Sequence, residues 1–326
     1  MEASSAAAPA LVELERHRAP LTAHCYRMLG SPFEAEDAVQ ETLLRAWRGR
    51  ERFEGRSALR SWLYRIATNV CFDMLGARQR RARPMDLGPA RTPEAANLES
   101  LPEAAWIEPA PSRLLVSEGD PAEAVAARET VRLAFVAALQ RLPPRQRAAL
   151  LLCEVLGWSA AETADLLGTS VASVNSALQR ARATLREADE GPAGAGSPLR
   201  PEDGELLARY VDAFERYDME ALKALIREDA WQSMPPYSLW LRGREDIFSW
   251  WLGPGIACRG SRVLPAPAAN GSATFAQYKP SESGDGYVAW ALQVLELSGE
   301  RIAELTFFLD VERIFPLFGL PLRLDP

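Results

Sequence analysis

Two stretches that cannot build a core cut this chain into three. Residues 84–126 are dominated by Pro, Glu and Ala, and residues 191–201 read GPAGAGSPLRP. Neither offers enough apolar surface to offset the entropy of ordering it, so both are expected to be linkers. Trp106 and Ile107 are exceptions inside the first stretch and have the character of docking residues. The expected organisation is a first module over 1–83, an acidic Pro-rich linker over 84–126 and a second module over 127–188. A short linker over 189–201 and a third module over 202–326 complete it. A length of 326 residues suits such a multi-domain chain better than a single domain.

Charge follows the same division. The whole chain carries −7, which argues against nucleic-acid binding if taken as one number. Residues 1–90 hold 14 arginines against 11 acids, and residues 127–188 hold 8 against 5, so each is +3. Residues 91–126 hold 2 basic groups against 7 acids, and residues 189–326 hold 13 against 21, or −5 and −8. Two basic modules joined by an acidic linker fit nucleic-acid contact, and the acidic third module has another task.

The first module is helical. Ser31-Pro32-Phe33-Glu34 has the form of a capping box with proline at the first helical position. The helix it opens places Ala35, Val39, Leu43 and Trp47 on one face. A second helix over Leu59–Leu75 buries Leu59, Leu63, Ile66, Val70 and Met74, leaving Arg60, Arg65, Thr68, Asn69 and Asp73 off the stripe. In the second module one helix ends at Leu142-Pro143-Pro144 and another runs from Arg145 to Leu156. Ser159 and Glu162 form a capping box for a short helix to Leu167, Gly168 supplies a tight turn, and a last helix begins near Ser170. That is a helix-turn-helix, with Val171, Val174, Leu178, Ala181 and Leu185 inward. Its outward groups are short and polar early (Ser173, Asn175, Ser176) and basic later (Arg180, Arg182), as a helix that enters a major groove requires.

The third module starts with helical faces at Leu207, Tyr210, Val211 and Phe214 and at Leu222, Leu225 and Ile226. Strands are expected at 272–278, 287–297 and 301–309, the last two joined by a turn at Ser298-Gly299, which makes an α+β domain. The four cysteines are scattered and expected to be buried free thiols, and no Cys/His cluster suggests a metal. The two histidines, His17 and His24, lie near the start, so most histidine chemistry is absent from the rest. The N-terminus has no secretory pattern and no apolar run is long enough to span a bilayer, so a cytoplasmic location is expected.

SPFEAEDAVQETLLRAW (31–47) and FEGRSALRSWLYRIATNVCFDML (53–75) resemble the promoter-melting domain of sigma-70 family RNA polymerase sigma factors of the extracytoplasmic-function (ECF) type. LQRLPPRQRAALLLCEVLGWSAAETADLLGTSVASVNSALQRARATL (139–185) resembles their helix-turn-helix domain. MPPYSLWLRGREDIFSWW (234–251) and LSGERIAELTFFLD (297–310) resemble the SnoaL-like domain of the nuclear-transport-factor-2 superfamily. The resemblance implies two all-α sigma domains followed by an α+β cone-shaped SnoaL-like domain.

It also implies partners and sites. Core polymerase would meet Asp37, Gln40, Glu41 and Arg45. The −10 element, read as single strand with an extruded base, would meet Arg56, Ser57, Arg60, Trp62, Arg65 and Asn69. Trp62 could stack on a base, but a tryptophan on an apolar stripe is more often core. The −35 element would meet Ser173, Asn175, Ser176, Gln179, Arg180 and Arg182; relatives often carry a basic residue where Asn175 stands. In the third module Met234, Tyr237, Trp240, Tyr278, Trp290, Phe308 and Asp310 are candidates for a pocket that takes a small-molecule ligand, and an aromatic core explains most of them nearly as well. Asp310 serves as an acid or as a strand-end cap. No catalytic residue, cofactor or metal is assigned. The leading reading is a sigma factor regulated in cis by its third module. The rivals are a cyclase or isomerase fused to a DNA-targeting region, and a duplex-binding regulator independent of polymerase.

Overall fold

The structure, a computed structural model, describes residues 11–53, 59–76, 80–115, 130–187 and 199–325. It forms two units: residues 1–81 with 113–189, and residues 82–112 with 190–326.

The first unit is all helix. α1 (Leu11–Glu15), α2 (Arg18–Leu29), α3 (Pro32–Gly49) and α4 (Leu59–Leu75) form its N-terminal part. α5 (Leu133–Gln140), α6 (Pro144–Leu150), α7 (Ala160–Leu167) and α8 (Val171–Glu187) follow, with a π-helical turn over Leu151–Val155 extending α6. Ser31 caps α3, its hydroxyl accepting from Glu34 N at 3.3 Å, but the Glu34 carboxylate turns to Arg81, 3.0 Å away. At Ser159 the capping box is complete. Gly168 sits at φ +60°, the left-handed conformation that ends α7 and starts the turn.

Three helical faces depart from the expected stripes. On α4, Tyr64, Ala67, Thr68 and Cys71 are buried together with Leu63 and Val70, while Leu59, Ile66 and Met74 are half-buried. Thr68 turns inward because its hydroxyl meets His24 Nε2 at 3.0 Å. On α3, Ala46 takes the inward place and Trp47 is 38% exposed; on α8, Val171 is exposed. The free cysteines also differ from expectation: Cys25 and Cys71 are buried, whereas Cys153 and Cys258 are partly exposed.

Two buried arginines tie the halves of this unit together. Arg147 donates to the Met28 carbonyl, to Gln140 Oε1 (2.6 Å) and O (3.2 Å), and to Leu142 O (3.1 Å). Arg27 donates to Thr130 O (3.1 Å) and Oγ1 (2.8 Å). Burial lowers both guanidinium pKa values to about 10, so both remain cations at neutral pH, held by carbonyl, amide and hydroxyl oxygens, although Arg147 Nε is left without a partner among the described residues. Gly30 closes α2 at φ +76°, and a Cβ there would meet Arg81 and Gln140 side chains at 3.3 Å.

The second unit is α+β. α9 (Asp203–Arg216) and α10 (Met219–Leu225) lead into β1 (Ile226–Ser233), β2 (Trp240–Arg242) and α11 (Arg244–Leu252). β3 (Arg262–Pro265), β4 (Ala273–Pro280), β5 (Tyr287–Ser298), β6 (Arg301–Phe308), α12 (Val311–Phe318) and β7 (Arg323–Leu324) complete it. The sheet order is β2-β1-β6-β5-β4-β3, with β7 paired to β5. Ser298 pairs with Arg301, so Gly299-Glu300 is the two-residue turn expected near that point. Ile226 is not helical but starts β1, which runs parallel to β6. α11 was not expected.

Alternate sheet residues (Phe275, Ala291, Leu295, Leu305, Phe307) pack with Tyr210, Phe214 and Trp251 of the helices in one aromatic core. The opposite face of the sheet is covered by α12 and by residues 82–112. Here the expectation of a free linker needs correction: Trp106 and Ile107 are each 3% exposed and Ala110 is fully buried. The segment's polar backbone is satisfied by the domain. Ala110 N donates to Asn270 Oδ1 (2.9 Å), Asn270 N to Ala110 O (3.0 Å), Leu101 N to Pro236 O (3.0 Å) and Ser112 N to Ala268 O (2.8 Å). Burying Trp106 and Ile107 contributes about 1.5–3 kcal/mol each, which compensates for a composition too poor to fold alone.

His24 supplies a pH test. Burial and the neighbouring Arg27 cation hold its imidazole down to about 3. The unfolded chain takes up that proton near pH 6.5, so stability is full above this value and lost as pH falls toward 3, by up to about 1.4 kcal/mol per unit. Denaturant unfolding at pH 7 and pH 5 should show a loss of about 2 kcal/mol from this group that His24→Gln does not show. Equal losses in both proteins would contradict it.

Candidate functional site

The candidate residues of α3 lie on its outer face. Asp37, Gln40 and Arg45 are exposed and Glu41 is half-buried. Arg45 Nε donates to Glu41 Oε1 at 2.6 Å and its Nη1 to Asp73 Oδ2 of α4 at 3.1 Å. Leu44 (41% exposed) and Trp47 share the helix, and the Arg50 guanidinium lies 3.8 Å above the Trp47 ring. Exposed apolar groups among fixed charges make a surface suited to a protein partner. Sequence periodicity missed Leu44 and Trp47 because it placed the tryptophan in the core.

Of the residues assigned to the −10 element, Arg56 and Ser57 lie outside the described residues. Asn69 is exposed on α4, and Trp62 is half-buried with its ring 5.0 Å from Phe53, so it is neither core nor fully free. Arg60 and Arg65 face the helix-turn-helix. The Arg65 guanidinium pairs with Asp165 of α7. Arg60 lies 5.6 Å from the Tyr64 ring centroid and 6.0 Å from that of Trp158, and the two rings meet edge-on at 5.6 Å. The helix assigned to −10 reading and the helix-turn-helix are therefore packed together within this unit.

On α8, Ser173, Asn175, Gln179, Arg180 and Arg182 are exposed and Ser176 is half-buried. Ser170 Oγ accepts from Ser173 N at 3.2 Å at the start of the helix. Arg180 donates to Ser176 Oγ (2.7 Å), and Arg182 to Glu154 Oε1 (2.6 Å). Asn175 and Gln179 project from one exposed helical face, four residues apart, as base-edge contact demands.

In the second unit a cavity of about 540 Å³ opens between the docked segment and the outer face of the sheet. Four of the seven candidates line it: Tyr237, Trp290, Phe308 and Asp310. The other three do not. Met234 belongs to the core on the opposite face. Trp240 stacks on Trp231 and donates from Nε1 to Gly88 O at 2.9 Å. Tyr278 is fully buried, its hydroxyl donating to Pro321 O at 3.0 Å and its ring set edge-on to Phe315. Part of the remaining wall comes from Pro235, Pro236 and Ile314 of the domain, and part from Leu101, Glu103, Trp106, Ile107 and Glu108, in the stretch expected to be a linker. Their only signal was Trp106-Ile107 in an otherwise polar stretch. Asp310 lies 3.4 Å from Arg313, which also contacts Glu103 and, at 3.1 Å, Glu108. Among the described residues no group of three or more His, Cys, Asp or Glu is arranged to hold a metal ion. No described helix is long and apolar enough to cross a membrane.

A helical unit carrying a helix-turn-helix, joined to an α+β domain, defines a class of transcription proteins, and comparison with known proteins agrees. Residues 14–81 match Sigma-70 region 2, residues 132–185 match Sigma-70 region 4, and residues 207–305 match the SnoaL-like domain. The chain belongs to the ECF RNA polymerase sigma factors. It is 45% identical over 309 residues to the ECF RNA polymerase sigma factor SigG of Mycobacterium tuberculosis H37Rv, covering 94% of this chain and 82% of that one. It is 32% identical over 183 residues to SigE of Mycolicibacterium smegmatis, covering 56% and 62%. The crystal structure of M. tuberculosis SigJ shares the fold, with a TM-score of 0.61 at 23% identity over 96% of this chain and all of that one.

The packing of α4 against the helix-turn-helix can be measured. The Arg65–Asp165 pair is exposed, so Asp165→Asn should change unfolding free energy by less than ~1 kcal/mol. Trp158→Ala removes a half-buried ring and an aromatic pair worth ~0.5–1.5 kcal/mol in itself, so it should cost clearly more. Equal effects would mean that the ring contact does not hold the helices together.

Proposed function

We propose that this sigma factor is restrained by its own C-terminal unit through the docked segment 82–112, and that initiation requires the segment's release. The seating of that segment on the sheet carries the reading. Both ends of the segment, at Arg81 and Arg113, enter the sigma unit. Elements near −10 and −35 lie roughly 85 Å apart along B-form duplex at 3.4 Å per base pair. An extended segment of 31 residues reaches about 100 Å, enough to join them, but only when it leaves the domain. In the packed state Arg65 is engaged by Asp165 and Arg60 by Trp158, which withholds part of the −10 surface from DNA. The −8 charge on residues 189–326 adds electrostatic screening of two basic modules.

Within this reading Asp37, Gln40, Glu41 and Arg45, with Leu44 and Trp47, face core polymerase. Arg56, Ser57, Arg60, Trp62, Arg65 and Asn69 contact the −10 strand. Ser173, Asn175, Ser176, Gln179, Arg180 and Arg182 contact the −35 duplex. The protein works beside polymerase in the cytoplasm. The C-terminal domain is regulatory rather than catalytic. No histidine follows His24, and the candidate acid Asp310 is held by Arg313.

Three outcomes are expected. Asp37→Arg with Glu41→Arg should abolish co-elution with core polymerase while circular dichroism stays unchanged; retained co-elution sinks the docking assignment. Gln179→Ala should alter preference at particular −35 bases, whereas Arg180→Ala should weaken binding to all sequences and lower the salt slope by about one. Matching losses across every sequence would refute that orientation of α8. Trp106→Ala should raise transcription by purified holoenzyme from a promoter selected with the full-length protein; unchanged or lower output contradicts restraint by the docked segment.

A further inference from the structure

We infer that Glu154 is a positioning residue for promoter binding: its carboxylate holds the Arg182 guanidinium so that the fork faces a backbone phosphate beside the −35 element. The role rests on the reading of α8 as the −35 helix, and adds to it a residue that lies outside that helix.

The local fold sets Glu154 in place. The turn over Leu151–Val155 is π-helical, and Leu156 N donates to Leu151 O, five residues back, at 3.0 Å. In an uninterrupted α-helix Glu154 would follow Leu150 by four residues and Leu151 by three. It would then sit above them on the buried side of the helix. The extra residue in the turn rotates it off that side, and Glu154 is exposed. Single π turns of this kind occur frequently at functional sites.

On α8, Arg182 follows Gln179 by three residues and Asn175 by seven, the spacing of a single helical stripe. At 1.5 Å per residue it lies about 10 Å further along the axis than Asn175. That is close to the ~12 Å width of a major groove. When Asn175 meets base edges, Arg182 therefore reaches the phosphates of the groove's wall.

The chemistry of the pair suits that place. Arg182 Nε donates to Glu154 Oε1 at 2.6 Å. A guanidinium has five N–H donors in one plane, one on Nε and two on each Nη. With Nε spent on the carboxylate the plane is fixed, and neither Nη has a partner among the described residues. Those Nη groups are the fork that takes a phosphate bidentately. Phosphate bound there leaves the cation between two anions. An unheld arginine gives up rotamer freedom when it binds, whereas one held by Glu154 has already given it up. Both side chains are well exposed, at 54% and 36%, so the pair contributes little to folding and acts through orientation.

The test uses holoenzyme reconstituted from core polymerase and the full-length protein, with a promoter duplex that this holoenzyme selects from a random pool. Glu154→Ala should weaken duplex binding about threefold to tenfold, with an unchanged unfolding midpoint. Glu154→Gln should bind within about twofold of the wild type, because its amide oxygen still accepts from Nε. Arg182→Ala should weaken binding to all sequences and lower the salt slope by about one. In the Arg182→Ala background Glu154→Ala should cost nothing more, since both changes remove one contact. Tighter binding by Glu154→Ala or Glu154→Gln would overturn the role, for the carboxylate would then compete with phosphate. An equal loss with and without Arg182 would overturn it too, as would a loss that tracks a lowered unfolding midpoint. Loss with Arg182→Ala but none with Glu154→Ala would overturn the positioning role and leave α8 on the −35 element. No loss with Arg182→Ala would remove the phosphate contact itself, and with it the reading on which the role rests.

Discussion

The outer face of the SnoaL-like sheet mixes Leu292, Val294 and Phe308 with Thr274, Thr306 and Ser233, all of them buried, and part of its cover is a segment that also lies between the two sigma modules in the chain. That double use is the constraint from which the rest follows. Trp106 and Ile107 are buried against the domain, and Asn270 fixes Ala110 with a reciprocal pair of hydrogen bonds. A segment of Pro, Glu and Ala has no means of ordering itself, so its order is borrowed from the domain and is lost with it. Under the proposed restraint, it is this borrowed order that release of the segment would give up.

The sigma unit shows the complementary half. Its two modules are packed through Arg147 and Arg27, buried cations that spend their donors on backbone carbonyls at the end of α2 and before α5. The contact between α4 and the helix-turn-helix is shallower, made by an exposed ion pair and an edge-on ring pair. Exposed ion pairs hold weakly and yield to salt, to phosphate and to a competing surface. Under the proposed restraint, polymerase and promoter DNA would offer the phosphate and protein surface that replace these contacts.

Much of this was legible in the sequence, for physical reasons. Ser159, Glu162 and Gly168 carry their local structure in their chemistry, and the alternating runs of β5 and β6 with their short turn could adopt little else. Other features were set by distant partners. Ile226 continues the helical spacing of Leu222 and Leu225, yet pairing with β6 makes it a strand. Thr68 looks like a surface residue until His24 is brought beside it. Trp47 and Trp62 show that an apolar aromatic on a helix does not announce whether it faces the core. The cavity was half legible. Its sheet-side aromatics and Asp310 stood out, while Glu103 and Glu108 were hidden in a stretch whose composition said linker.

The central claim is that docking of residues 82–112 and engagement of a promoter exclude one another. Hydrogen exchange at Leu101, Ile107 and Ala110, compared between the free protein and its holoenzyme on an open promoter complex, addresses it directly. The account predicts slow exchange at all three amides in the free protein and fast exchange in the promoter complex. Equal protection of these amides in both states would contradict it.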